Sequence, residues 1–260
     1  MFIDSHCHIN SHCMIKRLPS VLQQMRANAV THALCASVDL ETFPSILAIA
    51  HAHPHIFASV GVHPGRELAR DPDVAELVSL AQDAKVIAIG ETGLDYHSLQ
   101  GRTLDSLAWQ RKRFRTHIQA AVASGKPLII HTRSAAQETL QIMREEGADT
   151  VGGVIHCFTE TWDVAKIALE QNFFISISGI VTFKNAIQIQ EVARKVPLER
   201  LLIETDSPYL TPEPYRGRLN EPAYVSHIGH FIALLRNIDA AQLGSVTSDN
   251  FFRLFCNSSV

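Results

Sequence analysis

Short apolar runs alternate with longer stretches of helical periodicity along almost the whole chain. Eight such runs stand out, at residues 2–8, 31–37, 56–61, 86–91, 127–131, 153–156, 173–178 and 201–205. Most are continuous in apolar residues rather than alternating, as in strands covered on both faces. Between them, the segment 104–123 puts Leu107, Phe114, Ile118, Ala121 and Val122 on one side, and Gly125 and Pro127 then supply a stop. Arg111, Lys112, Arg113 and Arg115 fall mostly elsewhere and read as a solvated face. The segment 221–235 opens on Asn220-Glu221-Pro222, an N-cap with a proline in the first turn, and continues with Val225, Ile228, Ile232 and Leu235 at helical spacing. The segments 134–146, 160–171 and 185–195 read as helices of the same kind. Strand and helix in repetition predict parallel pairing with right-handed crossovers. Eight strands in a chain of 260 residues predict an α/β fold, a (β/α)8 TIM-type barrel forming a single domain over 1–260. A doubly wound open sheet is the alternative; against it, no Gly-x-Gly-x-x-Gly or Walker-type loop follows the first strand.

Composition narrows the class. Hydrophobic residues make up 46% and charged residues 19%, which is globular and excludes a disordered chain. No run approaches the roughly 20 apolar residues of a membrane span, so no membrane association is expected. A formal net charge of −3 argues against a nucleic-acid coat or a polybasic membrane binder, while leaving room for one locally positive cleft. The five cysteines, Cys7, Cys13, Cys35, Cys157 and Cys256, form no Cys-x-x-Cys, and the N-terminus lacks a charged region followed by an apolar one. A reducing, cytoplasmic setting is expected. The count of 14 histidines is high, and their positions matter.

Six of the eight runs finish in His, Glu or Asp. The first ends His6-Cys7-His8, where alternation puts both imidazoles on one face. The third leads into His63, the fourth into Glu91, the fifth ends at His131, the sixth at His156, and the eighth runs into Glu204-Thr205-Asp206. In a barrel these C-terminal ends converge on one face, where barrel active sites lie. Singly, each residue has an ordinary reading: a surface pair for His-x-His, a core hydrogen bond for His131 or His156, a turn carboxylate for Glu91 or Asp206. Jointly, at one topological position on several strands, they point to a centre for two divalent ions with open positions for water and substrate.

The motifs Phe2-Ile3-Asp4-Ser5-His6-Cys7-His8, Gly61-Val62-His63-Pro64, Ile89-Gly90-Glu91-Thr92-Gly93-Leu94-Asp95, Val154-Ile155-His156-Cys157-Phe158 and Ile203-Glu204-Thr205-Asp206-Ser207-Pro208-Tyr209-Leu210 resemble the signatures of the TatD-type metal-dependent deoxyribonucleases, which are amidohydrolase-like metal barrels. Arg218-Leu219-Asn220-Glu221-Pro222 and Thr247-Ser248-Asp249-Asn250-Phe251 extend the similarity to about residue 255. The resemblance implies that His6, His8 and Asp206 bind one metal, that His131 and His156 bind a second, and that Glu91 bridges them. It implies a metal-dependent hydrolase of DNA working from the 3′ end, with RNA a further substrate. Two divalent ions are implied as cofactors; imidazoles suit Zn or Mn, and the carboxylates admit Mg. A water shared by such ions is acidified, and Asp206 takes its proton. His63 contacts phosphate or assists the leaving group.

Several weaker candidates accompany these. Arg133 and Arg218 are expected to pair with phosphates and Tyr209 to stack a base; Arg216 and Tyr96 are further candidates for the same two roles. Solvated loop arginines and packed tyrosines are the bland alternatives. Glu204 reads as a hydrogen-bond partner for a ligand histidine or as a structural carboxylate. Cys157 reads as a buried apolar neighbour of His156. The competing activity is removal of D-amino acids from mischarged tRNA, or hydrolysis of another ester or amide with the same metals. A non-catalytic metal binder is disfavoured by the complete ligand set. No stable protein partner is evident.

Overall fold

A computed structural model describes residues 1–97 and 103–256. The strands are β1 (Phe2–Cys7), β2 (Val30–Cys35), β3 (Ile56–Val60), β4 (Val86–Asp95), β5 (Leu128–Arg133), β6 (Gly153–Ile155), β7 (Phe173–Ile177) and β8 (Leu201–Ile203). The helices are α1 (His12–Ile15), α2 (Leu18–Ala27), α3 (Phe43–Ala52), α4 (Val74–Leu80), α5 (Ala108–Ser124), α6 (Ala136–Glu145), α7 (Trp162–Glu170), α8 (Ile187–Lys195), α9 (Val225–Arg236) and α10 (Ala240–Phe255). All eight expected strands form one parallel sheet in the order β1 to β8. The sheet closes through a parallel bridge between Cys7 and Ser207. The fold is a TIM-type barrel.

Apolar runs give buried strands here because helices cover the outer face and side chains fill the interior. The outer shell packs Phe114, Ile118 and Ala121 of α5, and Ile228 and Ile232 of α9, into the main core. The interior is plugged from the N-terminal end by α10. Phe251 and Phe255 join Ile3, Leu34, Ile129, Val154, Phe174 and Leu202 in a second buried cluster. Asp239 caps α10 by accepting from Ala241 and Gln242 N–H groups. The open end is therefore the C-terminal one.

Three local readings are corrected. The helix expected over 104–123 starts as a 3-10 turn and becomes α-helical only at Ala108. Asn220 does not cap α9; its amide nitrogen donates to the carbonyls of Thr205 and Tyr209. The cationic run on α5 is not a solvated face. Arg113 is 3% exposed, and Arg115 pairs with Glu145 and Glu146.

Candidate metal centre

Barrel closure assembles the first half of the site. The Asp206 N–H donates to the His6 carbonyl at 2.9 Å, and the His8 N–H donates to the Ser207 carbonyl at 2.8 Å. These bonds bring Asp206 Oδ1 to 3.8 Å from His6 Nε2 and 3.4 Å from His8 Nε2. Asp206 sits at φ +55°, beyond the end of β8, so a turned backbone rather than strand alternation brings it inward.

Bulges aim two further groups. The β1–β2 register slips between Asp4 and Cys7, and the β4–β5 register slips between Ile89 and Thr92. An extra residue in one strand re-aims the side chain there, and the second slip carries Glu91. Gly93 lets the two strands approach just beyond it. It adopts φ +134°, and a Cβ there would lie 1.9 Å from the His131 carbonyl oxygen.

Glu91 is the hub. Its Oε1 lies 2.8 Å from His156 Nε2, 3.3 Å from His131 Nδ1 and 3.2 Å from His63 Nε2. Its Oε2 lies 3.3 Å from His6 Nε2 and 3.8 Å from His8 Nε2. The His6 and His156 rings stack with centroids 3.9 Å apart. Burial alone would raise the Glu91 pKa, but the imidazoles of His156, His63 and His6 outweigh it and hold the carboxyl well below the usual range. Burial likewise opposes ionisation of Asp206, and the His8 hydrogen bond with the nearby imidazoles brings its pKa below the ordinary value. Burial works against charge on His156 too, yet Glu91 and Glu204 push its pKa well up.

The outer nitrogens decide what this cluster can hold. His8 Nδ1 is 3.1 Å from the Ala36 carbonyl, His131 Nε2 is 3.2 Å from Asp95 Oδ2, and His156 Nδ1 is 3.2 Å from Glu204 Oε1. An oxygen acceptor there holds a proton on that nitrogen and turns the inner nitrogen toward the cluster, where loss of its own proton gives the form that ligates a metal. His6 Nε2 and Glu91 Oε2 are buried and face each other at 3.3 Å without hydrogen-bond geometry. Such orphaned atoms are costly unless something between them is bound. Three overlapping groups have ligand atoms within 4.8 Å of one another: His6, His156 and Asp206; His6, His8 and Glu91; and His63, Glu91 and His131. The donor set fits divalent ions. His63 stands apart. Its Nδ1 accepts the Gly65 N–H at 2.8 Å, so in the neutral ring Nε2 carries the proton and is a donor into the site.

The cluster floors an open cavity of about 760 Å³ whose wall includes Arg66, Asp95, Arg133, Cys157 and Tyr209. Tyr209 is 62% exposed at its mouth, edge-on to His8. Arg66 was not singled out in the sequence; it follows His63 by three residues and lies 3.5 Å from Asp39. Asp95, which closes the Glu91 motif in sequence, carries no signal there that sets it beside His131. Tyr96 does not reach the cavity wall. It is 6% exposed, with its hydroxyl donating to Glu138 at 2.5 Å, so it packs rather than stacks a base. Arg218 and Arg216 also lie away from the wall, against the rings of Tyr215 and Phe183. Cys157 borders the cavity, its thiol 3.3 Å from Ser178 Oγ and its pKa pushed well up by burial, which leaves it no thiolate nucleophile.

Residues 3–256 match the TatD related DNase family. The chain belongs to that family. Among TatD-related proteins, it is 42% identical over 257 residues to the uncharacterized metal-dependent hydrolase YcfH of Escherichia coli K12, covering 97% of this chain and 95% of that one. It is 30% identical over 259 residues to a Salmonella typhimurium protein named 3′-5′ ssDNA/RNA exonuclease TatD, covering 97% and 98%. The crystal structure of the TatD homologue YJJV from Escherichia coli K12 superposes with a TM-score of 0.90 at 26% identity, covering 98% and 97%. Like its TatD-family relatives, this chain is a metal-dependent hydrolase. Among the described residues no helix is long and apolar enough to cross a membrane.

Proposed function

We propose that the protein is a phosphodiesterase that shortens single-stranded DNA from the 3′ end, with RNA as a further substrate. The observation that carries this reading is the ring of imidazole nitrogens around Glu91, set beside His63 and two arginines of one cavity. The Salmonella relative's name supports the substrate class. In this reading His6, His8 and Asp206 would hold one divalent ion, His131 and His156 would hold the other, and Glu91 would be shared between them. Such ions, when bound, acidify water and neutralise charge on the phosphoryl oxygens.

The chain's own groups do the rest. Asp206 lines the cavity and accepts the nucleophile's proton. His63 donates from Nε2 to a phosphoryl or departing oxygen. Arg133 and Arg66 stand on the cavity wall to pair with neighbouring phosphates. Tyr209 offers an exposed ring to the terminal base. Asp95 and Glu204 hold the ring planes of His131 and His156.

The test is turnover of end-labelled single-stranded DNA by metal-stripped protein, with Mg, Mn or Zn restored and a D-aminoacyl-tRNA assayed beside it. Metal-dependent shortening of the DNA is expected. Intact DNA with deacylated tRNA would move the chemistry to a carbonyl centre and overturn this reading.

A further inference from the structure

The segment 61–73 between β3 and α4 carries His63 and Arg66 into the cavity without regular secondary structure of its own. Its backbone N–H groups bond at His63 to the Val38 carbonyl and in two short-range turns closed by Arg66 and Ala69. Ser37 Oγ donates to the Gly61 carbonyl, and the Arg66 and Arg70 side chains pair with Asp39 and Glu76. The backbone carbonyls from His63 to Ala69 are gripped by one face of α5. Arg113 Nη1 donates to the carbonyls of His63 at 3.1 Å and Arg66 at 2.9 Å. Its Nη2 donates to the Ala69 carbonyl at 3.3 Å, and its Nε donates to Asp71 Oδ1 at 2.5 Å. The guanidinium lies 4.7 Å from the Trp109 ring centre. One turn on, the fully buried His117 accepts the Val62 N–H on Nε2 at 3.0 Å, and its Nδ1 donates to the Arg113 carbonyl at 2.8 Å.

A buried guanidinium ordinarily offsets its desolvation by pairing with a buried carboxylate. Here the only carboxylate partner among the described residues, Asp71, is half-exposed, and three bonds go to loop carbonyls instead. Those bonds bracket the backbone from His63 to Ala69. The His63 ring, tied through Nδ1 to Gly65, follows that backbone. We propose that Arg113 and His117 are positioning residues for His63, setting the backbone from which its Nε2–H meets the phosphoryl group beside Glu91. This rests on the phosphodiesterase reading. A misplacement of about 1 Å costs on the order of 100-fold in rate.

The variants are Arg113→Met, Arg113→Lys, His117→Leu and His117→Gln, each with and without His63→Ala, in the metal-loaded protein. Steady-state kinetics on single-stranded DNA, metal content, trypsin cleavage after Arg66 and Arg70, and NMR signals of the His63 ring are the readouts. For His117→Leu and Arg113→Met, kcat should fall roughly 10- to 100-fold with KM changed much less. Metal content should hold, trypsin cleavage should accelerate, and the His63 signals should shift. His117→Gln keeps both an acceptor and a donor and should retain most of the rate. Added to His63→Ala, either truncation should cost little more, because both act through that ring. Full multiplication with His63→Ala, or loss of metal, would overturn the inference. So would unchanged trypsin cleavage and His63 signals in both truncations, whatever the substrate. Should Arg113→Met not fold, Arg113→Lys and the His117 pair decide the matter. A wild-type protein that leaves DNA intact would instead count against the phosphodiesterase reading.

Discussion

Replacing Glu204 by glutamine isolates the charge behind one candidate ligand. Glu204 is wholly buried; its Oε1 accepts the Cys157 N–H at 2.7 Å and faces His156 Nδ1 at 3.2 Å. Glutamine keeps an acceptor oxygen there and removes only the negative charge. A hydrogen bond to a charged group contributes about 1.5–3 kcal/mol and a neutral one about 0.5–1.5. The difference, roughly 1–2 kcal/mol, corresponds to about 5- to 30-fold in an equilibrium constant. It falls on the basicity of His156 Nε2, hence on the ion that His156 and His131 hold. Competitive titration of metal-free protein against a chelator should show one binding step weakened by that factor and the other nearly unchanged. Thermal unfolding of the metal-free variant should fall modestly, because the Cys157 bond survives while the charge that raises the His156 pKa is gone. Equal weakening of both steps, or of neither, would refute the claim that Glu204 acts through His156.

Other outcomes follow from the same geometry. Glu91→Ala removes the group nearest to five imidazoles and should abolish turnover and weaken metal binding; near-wild-type activity would sink the two-metal proposal. Asp206→Asn should cut the rate strongly with the fold intact, which circular dichroism and turnover on DNA would show together; an unchanged rate removes Asp206 from the mechanism. His63→Ala should lower activity with metal occupancy retained, whereas metal loss measured by elemental analysis would make His63 a ligand. His117 gives a pH signature: burial lowers its pKa from 6.5 to about 4. The unfolded chain then binds that proton first, so its contribution is full above about 6.5 and is lost as pH falls toward about 4, up to about 3 kcal/mol in all. His117→Gln should flatten that part of an acid-unfolding curve, and an identical acid slope would exclude His117 as its source.

The barrel was legible because parallel strands buried on both faces leave continuous apolar runs, and each run here ends near the strand it predicts. The candidate ligands were legible for a related reason: a barrel gathers the C-terminal ends of its strands, and His6, His8, His131 and His156 stand at or near those ends, with Glu91 midway along the longer β4. What the pattern did not carry was backbone irregularity. The register slips around His6 and Glu91 and the turned backbone at Asp206 aim side chains that alternation alone cannot place. Charge type also misled. Arg113 stands among Arg111, Lys112 and Arg115, and nothing local separates the one guanidinium that faces inward toward loop carbonyls from its neighbours. The direction of Arg218, which lies against the Tyr215 ring, was not legible because a loop rich in proline and glycine has no period from which to read it. The α10 plug went unread because its packing partners, such as Ile3 and Leu34, lie far away in sequence.

The most direct test of a dinuclear centre is anomalous diffraction from crystals equilibrated with Mn or Zn. Two peaks are predicted, roughly 3.5–4 Å apart as in two-metal hydrolases. One should lie against His6, His8 and Asp206, the other against His131 and His156, with Glu91 touching both. A single peak, or two peaks of which only one contacts Glu91, would contradict the account.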